Sequence, residues 1–234
     1  MKKVVKGILK FLGVKKSVDK ILHQRKVDKA INNRNVEDRF SKIYEDGVWY
    51  ANKESASGSG STLEVTKQVR TFLPELVEKY KVETLVDVGC GDYNWMKEVQ
   101  LGCKYIGTDI VKSVVEENIE KYQSNEITFL HSNAIEEKIP EGEIVLCRDV
   151  LFHLSFEDGK KLIENIKQSK AKYLVTTSHK EMSANEDIYT GNFRKICLEI
   201  EPYNFPNPIA ELYESDAFPD RFLGVWDLDF LRDN

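Results

Sequence analysis

Apolar positions between residues 84 and 228 gather into short blocks of strand length, separated by stretches with helical spacing. Leu85, Val86 and Val88 form the first block, Thr84 to Val88, which stops at Gly89. Lys104 to Asp109, Ile127 to Ala134, Glu143 to Asp149 and Lys172 to Thr177 follow as four more strands. Tyr93 to Val99, Val111 to Tyr122 and Phe156 to Gln168 fill the gaps as helices. This alternation predicts an α/β domain with a doubly wound sheet. After the fifth strand the pattern changes. Ser178 to Gly191 is polar and reads as an active-site loop, and Tyr203 to Pro208 as a rigid extended connection. Ile209 to Glu214 and Phe222 to Leu228 are two final strands.

The chain before the first strand is of another kind. Thr62 to Tyr80 has one apolar face at helical spacing, with Pro74 marking a bend or restart. Glu54 to Ser61, E-S-A-S-G-S-G-S, is a small-residue loop. Asn32 to Lys53 is mixed and rich in aromatic residues. Met1 to Ala30 has a broad apolar face that includes Val18, Ile21 and Leu22, lysines opposite, and an interruption at Gly13. Two readings of it stay open: a basic amphipathic helix lying on an anionic membrane, or a helix docked on its own domain or a second subunit. Docking is preferred, since most amphipathic helices are packing helices. The arm is then expected to be dispensable for ligand binding by the rest of the chain. Lys6 and Lys10 break any uncharged run that could cross a bilayer or form a signal-peptide core.

Charge sharpens this division. Residues 1–42 hold 13 Lys and Arg against 4 Asp and Glu, whereas the whole 234-residue chain is at −5, so residues 43–234 carry −14. An acidic body argues against a nucleic-acid groove. Cys90, Cys103, Cys147 and Cys197 show neither a Cys-x-x-Cys pair nor metal spacing, and read as reduced thiols of a cytoplasmic protein. No His, Asp or Glu group has a divalent-metal spacing, so no metal is expected.

The candidate chemistry sits where the first strand ends. Gly89 and Gly91 let the backbone turn sharply and approach a ligand closely, with no Cβ in the way. Asp87, inside the strand, is costly to bury unless it meets a donor or a cation. A nucleotide-type ligand carrying an amine would supply both. Asp109 lies 18 residues beyond Gly91, about the spacing that places an acid on ribose hydroxyls in a doubly wound sheet. A helix beginning at Tyr93 would turn its free N–H groups toward the same ligand.

Three features carry a resemblance to the class I S-adenosylmethionine-dependent methyltransferases. They are Asp87 to Gly91 (D-V-G-C-G), Asp109, and Ser132, Asn133 and Ala134 as the adenine-edge loop. Cys147 to Leu154, C-R-D-V-L-F-H-L, follows the fourth strand. Two departures stand out: the third glycine of the turn is Tyr93 or Asn94, and the adenine-loop acid is Asn133. Glu54 to Ser61, Cys147 to Phe156 and Tyr203 to Pro208 look closest to small bacterial methyltransferases associated with surface-polysaccharide synthesis. The resemblance covers roughly residues 43 to 234 and implies a seven-stranded Rossmann-like sheet, mostly parallel with its last strand antiparallel. It divides the chain into a basic helical extension, 1–42, and a methyltransferase domain, 43–234, of which 43–80 are lid and cap helix and 81–234 the sheet core. It implies S-adenosylmethionine as cofactor and S-adenosylhomocysteine as product. Asp87, Gly89, Cys90, Gly91, Asp92, Trp95, Asp109, Ile110, Asn133, Ala134 and Arg148 are expected around the cofactor, Trp95 through packing. Arg70 is placed to reach its carboxylate. Trp49, Ser57, Gly58, Ser59 and Gly60 are expected as lid or acceptor contacts; the alternative for the loop is a plain linker.

Methyl transfer to a hydroxyl needs a positioned base, because an alcohol does not ionise unaided at neutral pH. His153 and Asp149 follow the fourth strand, and His179 ends the fifth; His153 and His179 are the base candidates and Asp149 a holder of substrate or cofactor. The expected partner is a small-molecule acceptor, with a sugar or sugar-nucleotide hydroxyl implied by the resemblance alone. An amine or phosphate-linked acceptor is the variant, and a non-catalytic cofactor-binding or membrane-tethered protein the alternative of another class. A nicotinamide oxidoreductase would want glycine where Asn94 stands. A nucleic-acid methyltransferase usually carries an Asn/Asp-Pro-Pro-aromatic segment where this chain has Cys147 to Val150, C-R-D-V. The expected location is cytoplasmic, with residues 1–30 available to the inner face of the membrane.

Overall fold

Seven strands form one sheet: β1 (Thr84–Val88), β2 (Lys104–Asp109), β3 (Ile127–His131), β4 (Ile144–Cys147), β5 (Tyr173–His179), β6 (Ala210–Tyr213) and β7 (Arg221–Asp227). A computed structural model describes residues 21–32, 34–50 and 54–233; the expected helix over residues 1–20 and its break at Gly13 lie outside them. The strand order is β3-β2-β1-β4-β5-β7-β6. β1 to β5 pair in parallel, and β7 runs antiparallel to both β5 and β6. Helices α1 (residues 21–31), α2 (Val36–Glu45), α3 (Lys67–Tyr80), α4 (Lys112–Tyr122), α5 (Phe156–Gln168) and α6 (Leu228–Asp233) complete the described chain.

The core divides along the pleat of the sheet. Side chains alternate across a strand, so Val86, Val145 and Leu174 enter one apolar cluster, and Leu85, Ile144 and Val175 the other. α5 covers the first face with Leu162, Ile163 and Ile166; α3 covers the second with Val69, Leu73 and Leu76. Both α2 and α5 begin on side-chain caps, Asn35 accepting from the Asp38 amide and Ser155 from the Asp158 amide.

β1, β2 and α5 lie where the apolar pattern puts them, and several boundaries move. β3 ends at His131, leaving Ser132 to Ala134 in a loop at the sheet's edge. α3 begins five residues after Thr62 and continues through Pro74. The expected helix from Tyr93 to Val99 is a single 3-10 turn, Met96–Glu98. Tyr93 takes a left-handed φ of 56° and plugs a cluster of Tyr105, Tyr122 and Phe129, while Asp92 and Asn94 bond a different loop. No helix N-terminus therefore faces the glycine turn from that segment.

The N-terminal segments pack onto the first face of the sheet. Val27, Ala30, Ile31, Phe40 and Ile43 are buried in its cluster, and the expected boundary at residue 42 falls inside α2. Ile21 and Leu22, expected on the buried face of α1, are half exposed, because the helix packs through its C-terminal end. No helix among the described residues is long and apolar enough to cross a membrane.

Candidate active site

In a doubly wound sheet, ligands settle beyond the carboxyl ends of the strands where the strand order reverses. Here that point lies between β1 and β4, and the two turns that follow these strands meet across it. Gly89 and Gly91 both have positive φ, 75° and 58°. A Cβ on Gly89 would come within 2.5 Å of Val150 Cγ2, so the two turns touch. A Cβ on Gly91 would fall 2.3 Å from Ser57 Oγ, so the small-residue loop packs directly onto the glycine turn.

Asp109, at the end of β2, faces this turn. Its Oδ2 accepts from the Gly91 amide at 2.9 Å and its Oδ1 from the Val111 amide at 2.9 Å. Burial raises its pKa and these amides oppose the rise. Asp87 lies deeper. Tyr105 donates to its Oδ2 at 2.8 Å, so the donor expected from a ligand amine is supplied by a phenol. Burial nevertheless pushes the Asp87 carboxyl up to about 7.

The loop Glu54 to Ser61 is held by the segment after Gly91. Asp92 accepts from Ser55 Oγ, the Ala56 amide and Ser57 Oγ. Asn94 donates to Glu54 Oε1 and to the Ser61 carbonyl. Tyr44, from α2, meets Ser57 Oγ at 2.8 Å. Asp92 thus clamps a loop instead of pointing at a ligand. At the loop's far end Arg148 donates to the Gly60 carbonyl at 2.9 Å.

Arg148 belongs to a buried set of four charges. Its Nε lies 3.0 Å from Glu214 Oε1 and its Nη1 3.3 Å from Asp149 Oδ2. Arg221, opening β7, meets the same two acids, Asp149 Oδ2 at 2.9 Å and Glu214 Oε2 at 2.7 Å. Asp149 has a left-handed φ of 59°, a strain of roughly 1–3 kcal/mol for a residue of this type. Thr177 holds it there by donating to Asp149 Oδ1 and accepting from the Asp149 amide. Burial pushes the Asp149 pKa up, but Arg148 and Arg221 outweigh it and the net shift is downward. Its oxygens are engaged by the protein, which makes it an anchor of the turn and a weak base.

One cavity of about 940 Å³ joins these parts, near the upper end of the roughly 300–1,000 Å³ usual for small-ligand sites. Asp87, Gly89, Cys90, Gly91, Trp95, Asp109, Ile110, Asn133, Ala134, Arg148 and Asp149 line it, as do Trp49 and the segment Ser57 to Gly60. His153 lines the same cavity. Its Nδ1 lies 2.8 Å from the Asn192 carbonyl oxygen and must donate to it, which leaves Nε2 as the acceptor. Trp49 stacks on the imidazole at 4.7 Å and Phe193 flanks it at 5.9 Å. Burial lowers the His153 pKa to about 4, so the ring is neutral at neutral pH.

Besides Asp92, two expected residues fall elsewhere. Arg70 is off the cavity, its Nη2 donating to the Leu63 carbonyl across the start of α3. His179 is buried; its backbone amide donates to the Ile196 carbonyl and its Nδ1 accepts from the Ile196 amide, so the end of β5 supplies no group to the cavity. Of the polar loop Ser178 to Gly191 only Gly191 reaches it, with Asn192 and Phe193 beyond. Wall residues that the sequence reading did not assign to the site include Arg221, Phe218, Tyr44 and the α1 residues Leu22, His23, Lys26 and Val27. The basic run of α1 hinted at binding, but nothing local tied it to this pocket.

If this turn holds S-adenosylmethionine, Asp109→Ala removes both a ribose partner and the acceptor of the Gly91 amide. Hydrogen bonds to charged groups contribute roughly 1.5–3 kcal/mol each, so S-adenosylhomocysteine binding is expected to weaken at least about tenfold. Unchanged affinity in calorimetry of the folded variant would remove Asp109 from the site.

Residues 86–170 match the family described as methyltransferase domain. Solved structures that share the fold include three methyltransferases. The N-methyltransferase NodS from Bradyrhizobium japonicum WM9, in complex with S-adenosylhomocysteine, aligns at TM-score 0.55 and 15% identity over 79% of this chain and 97% of its own. Magnesium protoporphyrin IX methyltransferase from Synechocystis PCC 6803, with the same molecule bound, aligns at 0.56 and 17% over 81% and 96%. Human N-acetylserotonin methyltransferase in complex with S-adenosylmethionine aligns at 0.56 and 12% over 88% and 66%. At these identities the likeness is one of fold. No curated protein matches the chain. The domain match and the shared fold together support a class I S-adenosylmethionine-dependent methyltransferase.

Proposed function

We propose that this chain transfers a methyl group from S-adenosylmethionine to a hydroxyl of a small molecule, with His153 accepting the hydroxyl proton. The observation that carries the reading is the shared cavity: the glycine turn with Asp109 and an imidazole with a fixed tautomer both line it. Gly89, Gly91, Asp109, Ile110, Asn133 and Ala134 would hold the cofactor. S-adenosylmethionine, when bound, supplies a methyl group on a sulfonium and leaves as S-adenosylhomocysteine.

The chain's own part is positioning and proton handling. Asn192 fixes His153 so that the Nε2 lone pair is the accepting site. Trp49 and Phe193 pack against the ring and help to fix its plane. Asp149 favours the imidazolium that forms, since its charge opposes the lowering of the His153 pKa. The acceptor class favoured is a sugar or sugar-nucleotide hydroxyl used in surface-polysaccharide synthesis, in the cytoplasm. What supports it is the resemblance of residues 54–61, 147–156 and 203–208, together with the aromatic Trp49 and Phe193 in the cavity lining. The test is a screen of sugar nucleotides and glycans with methyl-labelled cofactor. Label on a sugar oxygen is the expected result; label found only on an amine would overturn the hydroxyl assignment.

The pH profile follows from the lowered His153 pKa. Unprotonated His153 is the active form, so kcat/KM should be level across neutrality and fall only as pH approaches about 4. An inflection near the ordinary imidazole value of 6.5 would contradict the buried-base assignment. The sign for stability is the same. The unfolded chain takes up this proton first, so the native state loses stability as pH drops from 6.5 toward 4.

A further inference from the structure

We propose that the acceptor is amphiphilic: a polar head enters the cavity, an anionic group rests at its rim, and an apolar chain leaves across Leu22, Tyr50 and Phe193. This rests on the methyl-transfer reading of the cavity and adds the substrate class. The three residues line the cavity yet stay 51%, 47% and 61% exposed. Large apolar side chains that line a binding cavity and stay exposed offer contact surface to an apolar part of its ligand. Phe193 joins inside to outside, since its ring lies 5.2 Å from Phe152 and 5.9 Å from His153. An apolar chain attached near the accepting hydroxyl would therefore run from the candidate base to solvent over aromatic surface.

The rim is built, not incidental. Gln24 of α1 donates to Asn192 Oδ1 at 3.1 Å, and a Cβ on Gly191 would meet Ile31 Cγ2 at 2.6 Å, so α1 is seated closely on the turn that carries Phe193. Lys26 lines the same mouth and forms no ion pair among the described residues. An ammonium at the entrance, on the basic α1 that packs against the acidic remainder of the chain, attracts an anion locally, while the remainder's net charge discourages one elsewhere. A wholly polar free sugar uses neither the apolar rim nor this charge.

The test is calorimetric titration of the full chain, with S-adenosylhomocysteine present, using geranyl monophosphate, geraniol and inorganic phosphate as probes. Saturable one-to-one binding of geranyl monophosphate, at least about tenfold tighter than either fragment, is expected. The double variant Leu22→Ser/Phe193→Ser should weaken it at least about tenfold, and Lys26→Glu should weaken geranyl monophosphate but not geraniol. S-adenosylhomocysteine affinity should stay constant in both variants. Absence of saturable binding overturns the proposal. Binding that ignores these substitutions overturns it as well. If the unaltered chain fails to bind S-adenosylhomocysteine, the methyl-transfer reading falls too; if it binds that molecule but not the probe, only the amphiphilic acceptor is lost.

Discussion

His153→Gln should lower kcat roughly 10²- to 10⁴-fold, the usual consequence of removing a general base, while S-adenosylhomocysteine affinity and melting temperature change little. The glutamine amide can still donate to the Asn192 carbonyl, so the packing against Trp49 has a substitute. What it lacks is a basic lone pair where Nε2 stands. A resting pKa of about 4 keeps that lone pair free at neutral pH, and Asp149 lowers the cost of the imidazolium once the proton arrives. His179→Gln is the internal control. Its ring nitrogen accepts from the Ile196 amide outside the cavity, so a change there should appear in stability and not in kcat. Near-normal kcat in His153→Gln would move the reaction to an acceptor that needs no base.

Glu214→Ala should cost about 3–5 kcal/mol of stability, the range for stripping one partner from a buried ion pair. Glu214 has no exposed side-chain surface and is shared by Arg148 and Arg221. With it gone, two buried guanidinium groups are left with Asp149 as their one carboxylate. The loss should show as a lower urea midpoint with unchanged slope. Arg148 also holds the Gly60 carbonyl, so the loop over the glycine turn should loosen at the same time and cofactor affinity fall. A loss below about 1 kcal/mol would mean that the four charges are solvated instead of mutually dependent.

These two sites differ in how far the sequence announces them. β1, β2 and α5 are legible because apolar runs and capping residues are local signals: Leu85, Val86 and Val88 stop at a glycine, and Ser155 opens a helix. His153 and Asp109 were legible for a related reason, as each sits at a fixed offset from a strand end. The α2 helix carries readable signals too, the Asn35 cap and Val36, Phe40 and Ile43 at helical spacing, obscured by the aromatic residues that follow. The charge cluster is another matter. Arg148 and Glu214 are 66 residues apart and Asp149 and Arg221 are 72 apart, and only the β5-β7-β6 order brings them together. The same holds for α1, whose basic face reads as a membrane or docking surface until Gln24 and Ile31 are seen against residues 191–192. Tyr93 shows the opposite failure, a helix expected from the motif and lost to a left-handed residue buried among aromatic rings.

The central claim is that the turn from Gly89 to Gly91 is a cofactor cradle, and calorimetric titration of S-adenosylhomocysteine tests it most directly. One-to-one binding is expected for the unaltered chain. Gly91→Val should abolish it, because a Cβ there strains a φ of 58° and collides with Ser57 Oγ. No binding to the folded chain, or undiminished binding in folded Gly91→Val, would contradict the account.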